Sequence, residues 1–301
     1  MNTSLIFDIK HYAINDGPGI RLTVFFKGCP LSCKWCHNPE SISPLVQKLY
    51  TASKCIGSQK CVGICPNNAL VLTENGIITD IEACHLCGKC AEVCPTKAIE
   101  MSGSLMTVEE IMEIIEKETL FFDQSGGGVT FSGGEPLMHP HLLLKLLKEC
   151  GRKGIHRVVD TTLFTKQAIV MEVAGNSDLF LIDIKHMDSA KHKEFTGVPN
   201  ELILGNIIKV AKTNKEIIFR IPLIKGVNAD LDNIEQTAKF IKNLPGKTRP
   251  IQLLPYHDVA IGKHAKMGNT VELEGMETPT KEEIENVISV FDGLGVKASI
   301  L

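Results

Sequence analysis

The chain has 301 residues, 44% of them hydrophobic, and carries a formal net charge of -3. This is enough to bury a large core, as one α/β domain or as two smaller ones. The mixed, nearly balanced charge excludes a basic nucleic-acid-binding face, and no apolar run reaches the roughly 18 residues that a membrane span requires. The N-terminus shows no basic region before a long apolar stretch, so we expect a cytoplasmic protein.

The first elements along the chain are a turn and a short strand. The turn lies in DGPGIR at 16–21, where two glycines and a proline specify it. The strand is TVFFK at 23–27. The turn is either a tight connection or part of a binding site.

Directly after this strand, GCPLSCKWCHNPE spaces Cys29, Cys33 and Cys36 as C-x3-C-x2-C. Thiolates suit iron–sulfur clusters, and a full cluster takes four of them. A local set of three therefore predicts a [4Fe–4S] cluster with one iron open to a ligand. The alternative is a zinc site completed by His37. It is disfavoured because His37 directly follows Cys36, whereas short zinc-ligand pairs leave intervening residues.

Residues 51–100 are rich in cysteines and turns, and they predict a small inserted domain between barrel segments 1–50 and 101–301. The run that ends in Cys94 has the C-x2-C-x2-C-x3-C-P spacing of bacterial ferredoxins, in which the fourth cysteine ligates the other of two clusters. On that pattern one cluster takes Cys65, Cys84, Cys87 and Cys90. The other takes Cys55, Cys61 and Cys94, with Ser58 where a ligand is missing.

The gap at Ser58 leaves three outcomes open: an oxygen or other side chain as fourth ligand, a three-iron cluster, or a four-iron cluster with one labile iron. A zinc module is the alternative for these seven cysteines, disfavoured because two of them precede prolines. Electron relay to the first cluster is the predicted role, with structure or partner docking as the alternative. The lone Cys150 ends a predicted helix and is assigned no function.

Beyond residue 100, apolar strands alternate with amphipathic helices. Thr107 and Glu110 have capping-box spacing at the start of the first helix. Strands that alternate with helices imply a parallel sheet, and near-continuous apolar strands imply burial on both faces. With the strand at 23–27, six such units predict an incomplete (β/α)6 barrel. The further predicted strands are 128–133, 156–161, 179–185, 216–224 and 250–256, and the helices are 107–122, 139–151, 165–175, 200–213, 230–244 and 280–294.

Polar residues follow these strands at the edge where sites form in parallel α/β sheets. In SGGEP, Gly133 and Gly134 allow a close backbone approach to a ligand, and Glu135 adds charge. Arg220 lies within a strand, where it either points inward to pair with a ligand or points outward in an ordinary salt bridge.

Several of these motifs together resemble a known family. DGPGIR, FFKGCPLSCKWCHNPE with Trp35 before its last cysteine, SGGEP, DIK and LPYH occur in this order between about residue 7 and residue 264. This arrangement is similar to that of the radical S-adenosylmethionine (SAM) superfamily, and in particular to the activating enzymes of glycyl radical enzymes.

The resemblance implies a specific chemistry. The open iron chelates S-adenosylmethionine, and one electron from a flavodoxin or ferredoxin-type reductant breaks its C–S bond. The resulting 5′-deoxyadenosyl radical takes a hydrogen atom from a glycine Cα of a partner enzyme. The barrel must then hold the cosubstrate rigidly and exclude water.

The resemblance also implies roles for individual residues. Lys185 is suited to the carboxylate of S-adenosylmethionine, His257 to its adenosine, and Asp16 and Arg21 to the partner. Asp160 and Asp183 alternatively bind a monovalent cation. The implied cosubstrate-binding residues are Trp35, Cys36, His37, Gly133, Gly134, Glu135, Asp160, Asp183, Ile184, Lys185, Arg220 and His257.

Two other functions remain open at this point. One is a radical SAM enzyme that acts on a small molecule, which requires a closed pocket rather than an accessible groove. The other is a ferredoxin-like electron carrier, which would contain iron and sulfide without releasing 5′-deoxyadenosine.

Overall fold

The structure is a computed structural model that describes residues 3–247, 249–257, 260–268 and 275–301. The strands in these ranges are β1 (Thr3–Ala13), β2 (Arg21–Phe26), β3 (Gln47–Tyr50), β4 (Leu70–Thr73), β5 (Gly76–Thr79), β6 (Ile99–Ser102), β7 (Ser104–Thr107), β8 (Gly128–Gly133), β9 (His156–Thr161), β10 (Leu179–Asp183), β11 (Glu216–Leu223), β12 (Ile251–Pro255) and β13 (Ala298–Ile300). The α-helices are α1 (Lys60–Ile64), α2 (Lys89–Glu92), α3 (Val108–Glu116), α4 (Thr119–Ser125), α5 (Pro140–Arg152), α6 (Gln167–Asn176), α7 (Ser189–Thr196), α8 (Glu201–Ala211), α9 (Leu231–Lys242), α10 (Ala260–Lys266) and α11 (Lys281–Gly293).

The main sheet has the order β13-β12-β11-β10-β9-β8-β2-β1-β7. All neighbours from β2 to β13 pair in parallel, whereas β1 pairs antiparallel with both β2 and β7. The six predicted parallel strands are therefore confirmed, and β13 adds a seventh. Since β7 and β13 are the edge strands of this sheet, the predicted incomplete barrel is confirmed.

The helices that follow the strands pack against the sheet around one large hydrophobic core. The predicted capping box is confirmed, because Thr107 Oγ1 accepts a hydrogen bond from Glu110 N and Glu110 Oε2 accepts one from Thr107 N. The predicted helix at 107–122 is instead two helices, α3 and α4. The break falls at Glu118, whose carboxylate lies 2.8 Å from His11 Nδ1 on β1. None of the helices in the described ranges is both long and apolar enough to cross a bilayer.

The segment between β2 and β7 contains two small sheets. Strands β3 and β6 form an antiparallel pair, which we call the stem, and β4 and β5 form a hairpin. Cys61, Leu70, Ile77 and Ile99 are buried together as a second hydrophobic cluster. The stem begins at Gln47 and ends at Ser102, so it brackets residues 51–100, and the division of the chain at these residues stays a prediction.

Lys27 joins the stem to the barrel. It is fully buried at the end of β2, and its Nζ donates to Gln47 Oε1 at 2.8 Å and Ser102 Oγ at 3.4 Å, and also to Glu40 O. A Cβ at Gly103 would lie 2.8 Å from Lys27 Cδ, so glycine makes room for the buried lysine. Burial lowers the pKa of Lys27 to about 8, although nearby Glu40 opposes the shift.

We expect Lys27→Met to lower the free energy of unfolding by about 2 kcal/mol, because buried oxygens at the stem would lose their donor. Urea unfolding measures the change. Lys209→Met, on the exposed face of α8, is the matched control and should leave the midpoint nearly unchanged. Equal midpoints for the two variants would show that the Lys27 anchor contributes nothing.

Candidate functional site

A cavity of about 820 Å³ lies at the carboxyl ends of the parallel strands. Most of the predicted site residues converge on it although they come from distant parts of the chain. Those lining the cavity are Asp16, Cys29, Cys33, Trp35, Cys36, His37, Gly133, Gly134, Asp160, Asp183, Lys185, Arg220 and His257.

The three-cysteine loop after β2 is held by backbone hydrogen bonds at its start and in its middle. Cys29 N donates to Ile42 O at 3.0 Å. Ser32 N donates to Thr196 O at 2.8 Å, and Lys34 N donates to Phe195 O at 3.0 Å, both at the end of α7. Helix α7 was not predicted, and it fixes the loop against the rest of the barrel.

The three cavity thiols are suited to a metal cluster. Burial raises the pKa of Cys33 to about 11 and raises those of Cys29 and Cys36 as well. Thiolates in such a site need a positive partner, which iron supplies. Within the described residues no three His, Cys, Asp or Glu side chains are arranged to hold a single metal ion. The fit therefore rests on three free thiols that share one cavity.

Lys185 follows β10 and is buried beside the thiols. Its Nζ donates to Asp183 Oδ2 at 2.8 Å. Burial alone would lower the pKa of Lys185, but the Asp183 carboxylate above all outweighs it, so the pKa is raised. Lys185 thus stays protonated and keeps a positive charge in the cavity.

Arg220 points into the barrel and lines the cavity, which is the inward one of its two predicted orientations. Its Nη1 lies 3.4 Å from Asp160 Oδ2 and 3.9 Å from Asp16 Oδ1. Asp160 also accepts a hydrogen bond from Ser132 Oγ at 2.7 Å. Burial, together with nearby Asp183, raises the pKa of Asp160 to about 6, and Arg220 opposes the shift.

Gly133 and Gly134 let the turn after β8 approach the cysteine loop. A Cβ at Gly134 would lie 2.3 Å from Gly28 O, and one at Gly133 would lie 2.2 Å from Phe26 O. The backbone N–H of Gly134 donates to Phe26 O. Both glycines line the cavity, but that N–H already has a partner in the protein.

The remaining metal-type cysteines fall into two smaller cavities of the insert. One is lined by Cys65, Cys84, Cys87 and Cys90. The other is lined by Cys55, Cys61 and Cys94 together with Ser58 and Tyr50. This grouping is the one that the ferredoxin spacing predicts, while the clusters themselves stay a prediction.

Each of the two cysteine–proline turns of the insert contains a backbone N–H that donates a hydrogen bond to the cysteine sulfur. Ala69 N donates to Cys65 Sγ at 3.3 Å, and Ala98 N donates to Cys94 Sγ at 3.2 Å. Burial alone would raise the pKa of Cys94, but backbone hydrogen bonds, from Ile99 above all, lower it. Such N–H groups stabilise a thiolate at this position.

Comparison with known proteins agrees with this geometry. A family model described as the Radical SAM superfamily matches residues 23–241. The chain belongs to the radical SAM superfamily.

Within the superfamily, the chain is similar to enzymes named for the activation of others. It is 39% identical over 293 residues to the choline trimethylamine-lyase activating enzyme of Oleidesulfovibrio alaskensis, covering 94% of this chain and 93% of that one. It is 39% identical over 299 residues to the trans-4-hydroxy-L-proline dehydratase activating enzyme of Clostridioides difficile, covering 98% of both. A solved domain of pyruvate-formate lyase-activating enzyme from Bacteroides vulgatus superposes with a TM-score of 0.51 and 48% identity, covering 58% of this chain and 99% of that one.

Glu135, predicted as a cosubstrate-binding residue, lies outside the described cavity of this radical SAM chain. Its carboxylate is fully buried and does not line the described cavity. Oε1 accepts hydrogen bonds from Thr161 Oγ1 and Leu137 N, and Oε2 accepts from Thr162 N and Oγ1. With these four donors the side chain joins the turn after β8 to the end of β9.

Arg21 and Ile184 were also predicted as site residues, and the structure places them elsewhere. Arg21 begins β2, at the opposite end from the cysteine loop, and is fully buried. Its guanidinium donates to Thr130 Oγ1 and to main-chain oxygens such as Val129 O, and its role towards a partner stays a prediction. Ile184 belongs to the hydrophobic core.

Some cavity residues escaped prediction. Ser132 orients Asp160, and its place directly before Gly133 in SGGEP is a signal that could have revealed it. Glu40 pairs with Lys263 Nζ at 2.9 Å across the cavity rim, and no sequence pattern connects residues so far apart.

If Glu135 is a positioning residue, Glu135→Ala should lower the free energy of unfolding by about 3 kcal/mol, because buried donors would lose their acceptor. Urea unfolding monitors the change. Glu172→Ala, on the exposed face of α6, is the control. If Glu135→Ala leaves the free energy of unfolding unchanged but weakens S-adenosylmethionine binding, the result would contradict the positioning role and support the predicted ligand-binding role of Glu135.

Proposed function

We propose that this oxidoreductase activates a partner glycyl radical enzyme, with Cys29, Cys33 and Cys36 holding the reactive [4Fe–4S] cluster. The observation that carries the proposal is the convergence of three free thiols and the protonated Lys185 on one cavity in a chain with activating-enzyme relatives. The names of those relatives favour a protein substrate over a small molecule.

A cluster held by these thiols would supply the electron that cleaves S-adenosylmethionine to methionine and a 5′-deoxyadenosyl radical, which would take a hydrogen atom from a glycine Cα of the partner and become 5′-deoxyadenosine. The chain's own residues bind and orient the cosubstrate. Lys185 provides a fixed positive charge for a carboxylate, and Trp35, which is 4% exposed, lines the cavity and shares a hydrophobic cluster with Tyr256. Exclusion of water protects a reactive radical and strengthens each electrostatic contact.

We further propose that the cosubstrate is held between the end of β10 and the cysteine loop. Gly133 and Gly134 shape the floor there, Arg220 and Asp160 supply charge, and His257 stands at the rim. Ile184 and Glu135 support this arrangement from outside the cavity. A monovalent cation between Asp160 and Asp183 remains part of the proposal, since both carboxylates line the same space.

The two cysteine groups of the insert are proposed as ligands of two auxiliary iron–sulfur clusters that relay electrons from a flavodoxin or ferredoxin-type reductant. Their support is the separation of the seven cysteines into two cavities, one with four thiols and one with three. In the ferredoxin pattern the last cysteine of each run joins the cluster of the other run, as Cys65 and Cys94 do here. A zinc module does not require this exchange.

The proposal is tested by mixing anaerobically reconstituted, reduced protein with S-adenosylmethionine and candidate glycyl radical enzymes. Choline trimethylamine-lyase and trans-4-hydroxy-L-proline dehydratase come first, because similar chains are named for them. We expect 5′-deoxyadenosine by chromatography and a glycine-centred doublet by electron paramagnetic resonance. Cys33→Ala should abolish both.

Cys150→Ala is the matched control, because Cys150 is fully buried in the main core, with its Sγ 3.7 Å from Met112 Sδ. It should retain both signals. A cluster-loaded wild-type protein that releases no 5′-deoxyadenosine would rule out the proposed function and leave an electron carrier.

Ser58→Cys should change the iron count and the spectrum of the auxiliary cluster, because it supplies the thiol that the ferredoxin pattern lacks. Iron analysis and electron paramagnetic resonance of the reconstituted protein measure the effect. Ser289→Cys, on the exposed side of α11, controls for an added surface thiol. The same iron count in wild type and Ser58→Cys would refute the assignment of Cys55, Cys61 and Cys94 as an incomplete ligand set.

A further inference from the structure

One wall of the large cavity has no part in the proposed chemistry. Phe7, Asp8 and Lys10 of β1 line the cavity. The residues proposed for the cluster and the cosubstrate lie instead on β2 and on strands beyond it, or in the loops that follow them. The β1 wall therefore faces the same space without an assigned role.

A β-bulge aims this wall inward. Ile6 pairs with Phe26 and Asp8 pairs with the next residue back, Phe25, so Phe7 is an extra residue in β1. In a regular strand, neighbouring side chains point to opposite faces. The bulge breaks that alternation, and both Phe7 and Asp8 line the cavity. Bulges are over-represented next to active sites, where they redirect side chains.

The two charged side chains on this wall have no ion-pair partner within the described part of the chain. Asp8 and Lys10 are exposed, and neither makes a side-chain hydrogen bond or an ion pair with a described residue. Other cavity charges are paired, for example Lys185 with Asp183. The carboxylate of Asp8 and the ammonium of Lys10 can each attract a group of opposite charge on a ligand.

The wall also has apolar surface and lies beside the opening of the barrel. Phe7 packs on Phe25 with ring centroids 5.5 Å apart. Leu254 of β12 and Leu301, just after the edge strand β13, line the same cavity. An extended peptide entering between the two sides of the open sheet would pass along this wall and present alternate side chains to it.

We infer that Phe7, Asp8 and Lys10 form the surface that selects the partner's glycine-bearing segment. Asp8 pairs with a basic side chain next to the glycine, Lys10 pairs with an acidic one, and Phe7 contacts the apolar part of the segment. The inference rests on the proposed function, since it assigns this wall to the protein substrate of the same cavity.

The test uses two fluorescein-labelled peptides with a central glycine, one flanked by arginines and the other by glutamates. Their affinities for the cluster-loaded protein with S-adenosylmethionine are measured by fluorescence anisotropy. Asp8→Lys should shift the affinity ratio of the two peptides about tenfold towards the acidic peptide, and Lys10→Glu should shift it about tenfold towards the basic one.

Matched controls make the same charge changes on exposed helical faces. These are Asp123→Lys on α4 and Lys209→Glu on α8, and each should shift the ratio far less. If a charge-reversed chain does not fold, Asp8→Asn and Lys10→Met carry the same test with smaller shifts in the same directions.

Shifts no larger than those of the controls would overturn the inference, as would wild-type protein that binds neither peptide. Failure of the proposed function is recognised separately, because the wild-type cluster-loaded protein would then release no 5′-deoxyadenosine.

Discussion

The contact between the cysteine loop and the turn after β8 determines where everything else in the cavity can lie. Gly134 approaches Gly28 too closely for any side chain, and Glu135 N donates to Gly28 O at 2.8 Å. With the turn held in this way, the Glu135 carboxylate reaches Thr161 and Thr162 at the end of β9. The loop, the turn and β9 are thus tied into one unit, and displacement of any of them would alter the position of the thiols.

The charges of the cavity are ordered by pairing before any ligand arrives. Asp183 restrains Lys185, and Asp160 restrains Arg220. Burying a charge without a partner costs free energy. Each carboxylate therefore lowers the cost of holding its basic partner in a fixed place inside the cavity. Charges already held in position need little reorganisation when a ligand with both an ammonium and a carboxylate enters. Asp8 and Lys10 differ from these pairs, because neither has a charged partner among the described residues.

Strong local patterns made much of this fold predictable. The strands at 128–133 and 156–161 each have a short apolar or β-branched centre and were predicted to the residue, and cysteine spacing anticipated the two groups in the insert. Strand β1 was missed because its sequence mixes polar and apolar residues around a bulge, and α7, SAKHKEFT, has little apolar surface. The part played by Glu135 was unreadable because its four donors come from a turn and a strand brought together only by folding.

The insert has to keep a constant position relative to the reactive loop if electrons are to pass between them. The stem returns to the barrel beside Lys27, which directly precedes Gly28 and Cys29 in the chain. Because the Lys27 ammonium bonds to Gln47 on β3 and Ser102 on β6, both strands of the stem are tied to the start of the cysteine loop. A buried cation whose hydrogen-bond acceptors are all neutral oxygens is an expensive anchor, even with the Glu40 carboxylate nearby. The free-energy cost of burying the Lys27 ammonium is offset by what the anchor provides, a constant distance between the insert and the cysteine loop.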